Sequence, residues 1–171
     1  MLGSELVRLS VAFAIFISAS LAGSPSIALA DSLLERGGYL ARIMDCTGCH
    51  TAGALAGAPD PERYLAGSDI GFQVPGLGVF YPPNLTPDVE TGLGAWSEAD
   101  IMLAVREGKR PDGRQLIPIM PWPSYSALSD EDAKALVGYM KSLLPQKFKV
   151  PGPFGESETP THPYLAVVVP Q

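Results

Sequence analysis

The segment Cys46-Thr47-Gly48-Cys49-His50 limits what this chain can fold into more than any other stretch of it. Two thiols and an imidazole at this spacing form the Cys-x-x-Cys-His arrangement of c-type haem attachment. Both thiols add to the porphyrin vinyl groups and the adjacent imidazole reaches the iron. A group tethered in this way has a fixed face and orientation, so the rest of the chain has to close around it.

Other chemistries use the same atoms: half of a zinc site, a thioredoxin-like redox pair, or a structural disulfide. The chain holds 2 cysteines and 2 histidines, so a zinc site would have only His162 left to draw on. A thioredoxin pair follows a strand and opens a helix, whereas these cysteines come at the end of a helical pattern. That pattern is Leu33, Gly37, Leu40 and Met44, which fall on one helical face. Gly37 and Gly38 each cost a helix about 1 kcal/mol relative to alanine, and their presence predicts a close approach by another helix.

The partner helix is predicted near the other end. Ser129 is placed to cap it, Asp130, Glu131 and Asp132 fill its first turn, and Pro145 follows it. Its apolar stripe is Ala133, Leu136, Val137, Met140, Leu143 and Leu144, with Tyr139 placed to cross the glycine pair. A shorter helix is predicted from a Ser97 cap through Ile101 and Val105 to a stop at Gly108. From Gly67 to Gly94, glycines and prolines predict loops.

Residues 1–30 read as an export leader: Arg8 precedes an apolar run from Val11 to Leu21, and Ala28-Leu29-Ala30 precedes Asp31. A membrane anchor needs about 20 apolar residues, and Ser18, Ser20, Gly23, Ser24 and Pro25 interrupt the run. Residues 31–145 are expected to be one domain, with a core modest enough that a large buried cofactor would supply much of its apolar interior. Residues 146–171 are expected to be an extended, proline-rich tail, which could clasp a partner. The formal net charge is −6. This acidity argues against nucleic acid and against binding anionic lipid by charge alone. Membrane contact is expected only through a partner or an uncleaved leader.

An electron-carrying haem usually fills its sixth iron position, and the chain beyond the leader offers Met44, Met102, Met120 and Met140. Met44 is tied to the proximal side, and Met102 and Met140 sit in helical patterns that explain them as core. Met120 lies among Pro118, Pro121 and Pro123, which predict a stiff extended loop able to present one side chain. His162 as a second imidazole, and an open sixth position, remain as alternatives.

Several further stretches carry a resemblance: Arg36 to Leu40, Cys46 to His50, Tyr64 to Gly67, Pro83-Asn84-Leu85-Thr86-Pro87-Asp88, Thr91 to Ser97, Arg106 to Gly108, Asp112 to Arg114, and Met120-Pro121-Trp122-Pro123-Ser124-Tyr125. With them the sequence resembles the class I cytochrome c fold, and more narrowly the cytochrome domains associated with bacterial membrane alcohol, gluconate and aldehyde dehydrogenases. The resemblance runs from Asp31 to about Leu144. It implies an all-α fold whose N- and C-terminal helices pack around one covalently bound haem, with long loops. It also implies Cys46 and Cys49 as the covalent attachment points, His50 as the proximal iron ligand and Met120 as the distal one.

Subunits of that group often carry three haems on a long chain, whereas a single motif here predicts one haem c per chain. The expected function is a periplasmic electron carrier, not an enzyme, that takes single electrons from a dehydrogenase and passes them to an oxidase or another cytochrome. The alternative is a haem enzyme or ligand sensor with a displaceable sixth ligand, against which Met120 argues. Lys109, Arg110 and Arg114 form a basic patch beside the Met120 loop, read either as a dock for an acidic partner or as a solvated or propionate-neutralising loop. Trp96 is read either as a propionate contact through its indole N–H or as a core tryptophan.

Overall fold

The computed structural model describes residues 25–170, so most of the expected leader lies outside the described residues. Helix α1 runs over Pro25–Ile43 and passes Asp31 without a break. Helix α5, Asp130–Ser142, starts as the sequence predicts: the Ser129 side chain accepts from the Asp132 amide at 3.1 Å, with three carboxylates in the first turn.

These two helices cross at the glycine pair. A Cβ on Gly37 would overlap the Ala135 carbonyl oxygen and lie 2.6 Å from Tyr139 Cβ, and one on Gly38 would lie 3.0 Å from the Tyr139 ring. The predicted close approach is therefore real, and Tyr139 is the residue that crosses the pair. Arg36 clamps the crossing through two hydrogen bonds to Asp132, at 2.8 and 3.1 Å.

Two apolar assignments need correction. Leu33 is 42% exposed, so the buried face of α1 does not extend to it. Leu144 is 82% exposed, because α5 ends at Ser142 and Leu143 turns the chain into extended conformation, while Ala135 takes a buried place on the stripe.

Helix α3, Glu98–Glu107, opens on a capping box between Ser97 and Asp100 and ends at Gly108, whose φ of 68° is left-handed. Its Ile101 and Val105 join Leu40, Leu65, Leu85, Leu93, Leu136, Val137 and Met140 in one core. Two short helices complete the set: α2, Cys46–His50, and α4, Trp122–Tyr125. The single turn of α4 departs from the expected extended loop. Pro123 is accommodated in it because the first helical turn needs no amide donor.

The helices form the core as expected, and a small sheet is added to them. Strands β1 (Gly71–Val74) and β2 (Gly78–Phe80) make an antiparallel hairpin, and β3 (Tyr164–Leu165) pairs in parallel with β1. Part of the chain beyond Pro145 is docked on the rest of the molecule. Phe154 exchanges two backbone hydrogen bonds with Val79, at 2.8 and 2.9 Å.

Replacing Gly37 by alanine should destabilise the protein, since an overpacking cost of about 1–3 kcal/mol outweighs the helix-propensity gain of about 1 kcal/mol. Gly138→Ala is the control, because its Cβ would meet only Leu34 Cδ2 at 4.0 Å. It should stabilise by about 0.5–1 kcal/mol. Denaturant melts of the two variants should move in opposite directions, and a shared direction would contradict the packing argument.

Acid should weaken the fold in a defined window. Hydrogen bonds from Thr91, Ser97 and Arg36 hold Asp88, Asp100 and Asp132, respectively, below the ordinary 3.8. Lowered folded-state values favour unfolding on protonation, so this stability is fully present above about pH 3.8 and is lost as pH falls through the lowered values. Melting temperature should be level with respect to these groups above that point and drop below it.

Candidate functional site

Helix α2 follows α1 after only Met44 and Asp45, and Asp45 makes the turn with a φ of 57°. Its short turn carries Cys46 and Cys49, both part-buried and both free thiols. Burial raises the Cys46 thiol to about 11, with Cys49 and Asp45 adding to the effect. Burial also raises Cys49, with a further push from Asp45. Both groups are therefore thiols at neutral pH.

His50 is buried, and its Nδ1 lies 2.7 Å from the Pro83 carbonyl oxygen. A carbonyl can only accept, so Nδ1 carries the proton and Nε2 keeps its lone pair. Burial lowers the imidazole's pKa, and the Pro83 bond opposes this only in part, so the ring is neutral. A neutral imidazole with a fixed tautomer is the form that ligates a metal. The backbone of His50 is held as well, because its carbonyl accepts from the Gly67 amide at 2.8 Å.

The acceptor loop is built by Asn84, Thr86 and Thr91. Asn84 Oδ1 accepts from both the amide and the hydroxyl of Thr86, at 2.9 and 2.8 Å. Its Nδ2 donates to Thr91 Oγ1 at 3.1 Å and to the Gln146 carbonyl at 2.7 Å. Sequence reasoning treated these residues as a family signature and gave them no role. The fully buried side chains of Asn84 and Thr86, with part-buried Thr91, order the strip that carries the Pro83 carbonyl.

Met120 is partly buried against the same core as Met44, Cys46, Met102, Tyr125 and Leu128. Its loop is pinned at several points. Leu116 donates its amide to the Gly108 carbonyl at 2.7 Å, and Trp122 Nε1 donates to the Leu116 carbonyl at 3.1 Å. The Tyr125 hydroxyl donates to the Met44 carbonyl at 2.5 Å, which brings the Met120 loop beside the cysteine turn. Tyr125 is pushed up to about 12, first by burial and then by Cys46, Cys49 and Asp45.

The remaining candidates are placed elsewhere. Met140 is buried core, and His162 sits on the sheet, its ring edge-on to Tyr81 with centroids 6.4 Å apart. In the basic patch, Lys109 pairs with Glu107 at 2.7 Å and Arg110 with Asp112 at 3.2 Å, which balances most of its charge locally. Arg110 also covers the Trp96 ring, 4.9 Å from its centroid. Among the described residues no cluster of His, Cys, Asp and Glu could hold a bare metal ion.

These residues fit a covalently attached haem: two unpaired thiols on one turn, a neutral imidazole with an unprotonated Nε2, and apolar side chains around them. Comparison with known proteins agrees. The family model for cytochrome c matches residues 34–144. The cytochrome c subunit of the quinone alcohol dehydrogenase of Gluconacetobacter polyoxogenes is 40% identical over 131 residues, covering 76% of this chain and 25% of that protein. The gluconate 2-dehydrogenase cytochrome c subunit of Pantoea cypripedii is 44% identical over 109 residues, covering 64% of this chain and 23% of that protein. The fructose dehydrogenase cytochrome subunit of Gluconobacter japonicus is 37% identical over 128 residues, covering 71% and 24%. The chain thus spans about a quarter of the length of these relatives. With its matched domain, free thiol pair and oriented imidazole, the chain belongs to the cytochrome c family, whose covalently bound haem c the Cys46–His50 turn fits.

Proposed function

We propose that the protein carries single electrons on one haem c outside the cytoplasm, accepting them from a dehydrogenase and releasing them to an oxidase or another cytochrome. The observation that carries this reading is the His50 ring: held at Nδ1 by Pro83, it leaves Nε2 as the free donor beside two unpaired thiols. Haem iron bound there supplies reversible one-electron chemistry.

Within this reading Cys46 and Cys49 would anchor the group, His50 Nε2 would ligate the iron, and the Met120 thioether would be its second ligand. The pinned loop around Met120 favours a filled sixth position, because a side chain already fixed loses little freedom on ligating. Part-buried Met102, Tyr125 and Leu128 pack on the same core and would limit access of water to the group. A carrier needs no substrate pocket, and a filled sixth position leaves no site for one. Residues 1–30 act as the export leader, 31–145 as the cytochrome domain and 146–171 as its C-terminal extension. Periplasmic placement rests on that leader and on the chemistry of haem attachment. No described helix is long and apolar enough to cross a membrane. The dehydrogenase partner is suggested by the relatives, which are named as cytochrome subunits of alcohol, gluconate and fructose dehydrogenases.

The test is the visible and near-infrared spectrum of the full chain expressed with a haem-attachment system. The unmodified protein should show the long-wavelength iron–thioether band, and Met120→Ala should lose it and fall in reduction potential, because a thioether favours the ferrous state. Cys46→Ser with Cys49→Ser should abolish covalent haem staining. An unmodified protein without the thioether band would rule out Met120 as ligand.

A further inference from the structure

The tail beyond Leu144 lies outside the matched family region, yet its backbone satisfies side chains buried behind the haem motif. Asn84 is 1% exposed and Thr86 is 0% exposed. The Asn84 amide donates to the Gln146 carbonyl, and Thr86 Oγ1 accepts from the Gln146 amide at 3.1 Å. Thr91 Oγ1 accepts from the Phe148 amide, also at 3.1 Å. Further along the tail, Val150 fills the space over Gly67, and the Tyr81 hydroxyl donates to the His162 carbonyl at 2.9 Å. The 81–86 strip is therefore held between His50 on one side and the tail on the other.

Without those tail contacts, one amide hydrogen of Asn84 and the acceptor lone pair of Thr86 Oγ1 would lose their partners, and the strip would have to open to hydrate them. Pro83 is bonded directly to Asn84, so its carbonyl moves when Asn84 moves. That carbonyl is the acceptor for His50 Nδ1.

We propose that residues 146–162 form a strap that fixes the orientation of the proximal imidazole, with Asn84 and Thr91 as positioning residues that pass the restraint through Pro83 to His50. This inference rests on the assignment of His50 as iron ligand. The strap acts through the hydrogen bond to His50 Nδ1.

The test is the solvent-exchange rate of the His50 Nδ1 proton, read by nitrogen-15 NMR in the reduced, haem-loaded full-length protein. Asn84→Asp removes the amide donor and faces a carboxylate toward the Gln146 carbonyl. Thr91→Val removes the acceptor for Phe148 on a less buried residue, and decides the question alone if the first variant fails to fold. Ile101→Val, in the core between α3 and α5, lowers global stability without touching the strap. The strap variants should exchange about tenfold faster than the unmodified protein, as expected for a lost hydrogen bond, while Ile101→Val stays close to it. Wild-type exchange in Thr91→Val, or equal acceleration in Ile101→Val, overturns the strap. Failure of the unmodified chain to attach haem would instead overturn the site assignment beneath it.

Discussion

The hydrogen bond between His50 Nδ1 and the Pro83 carbonyl is the contact on which the geometry of the site depends. It selects the tautomer, aims Nε2 and pairs a buried polar atom that would otherwise destabilise the fold. Its two ends come from different parts of the molecule. His50 arrives on a short turn tied to α1, whereas Pro83 sits on a strip secured by Asn84, Thr86 and the tail. An error in either placement would lengthen the bond, so the fold has to locate both to within a few tenths of an ångström.

The first placement comes from the α1–α5 crossing. Only Met44 and Asp45 separate the end of α1 from Cys46, which leaves little slack to absorb a shift of the helix. The absence of a Cβ at Gly37 lets the backbones meet, and Tyr139, its ring over Gly38, shares a hydrogen bond through its hydroxyl with the Tyr64 hydroxyl at 3.1 Å. The same crossing therefore braces the segment that leads to Leu65 and Gly67, whose amides bond to Thr51 and His50.

Local chemistry made the site and the helices legible in the sequence. The cysteine spacing, the Ser97 and Ser129 caps, the Gly108 stop and the glycine pair each act over a few residues, and each appears where the pattern puts it. The sheet was not legible, because its strands have 4, 3 and 2 residues and the third comes from the far end of the chain. Periodicity carries no signal at such lengths. Leu33 and Leu144 were misplaced for a related reason: a stripe shows which face is apolar, but not where along the helix burial stops or the helix itself ends. The tail's extended form could be read from its prolines, but its docking partner could not, since the recognising groups are backbone carbonyls and amides common to every sequence.

The groups that hold His50 are all neutral. Asn84, Thr86, Thr91 and the carbonyls of Pro83 and Gln146 have no titrating proton in the working range, and their hydrogen bonds do not depend on screening. Charged groups adjoin this neutral layer from outside: Thr91 donates to the Asp88 carboxylate at 2.7 Å, and the exposed Lys147, between Gln146 and Phe148, pairs with Glu90, an ion pair that solvent makes worth about 0–1 kcal/mol. The neutral inner layer suits the proposed carrier. A centre whose charge changes by one unit in each cycle perturbs neighbouring ionisable groups, and the groups bonded directly to His50 and Asn84 have no proton to exchange in response. With Nδ1 bonded to the Pro83 carbonyl, the imidazole would keep one tautomer and one orientation toward haem iron held at Nε2.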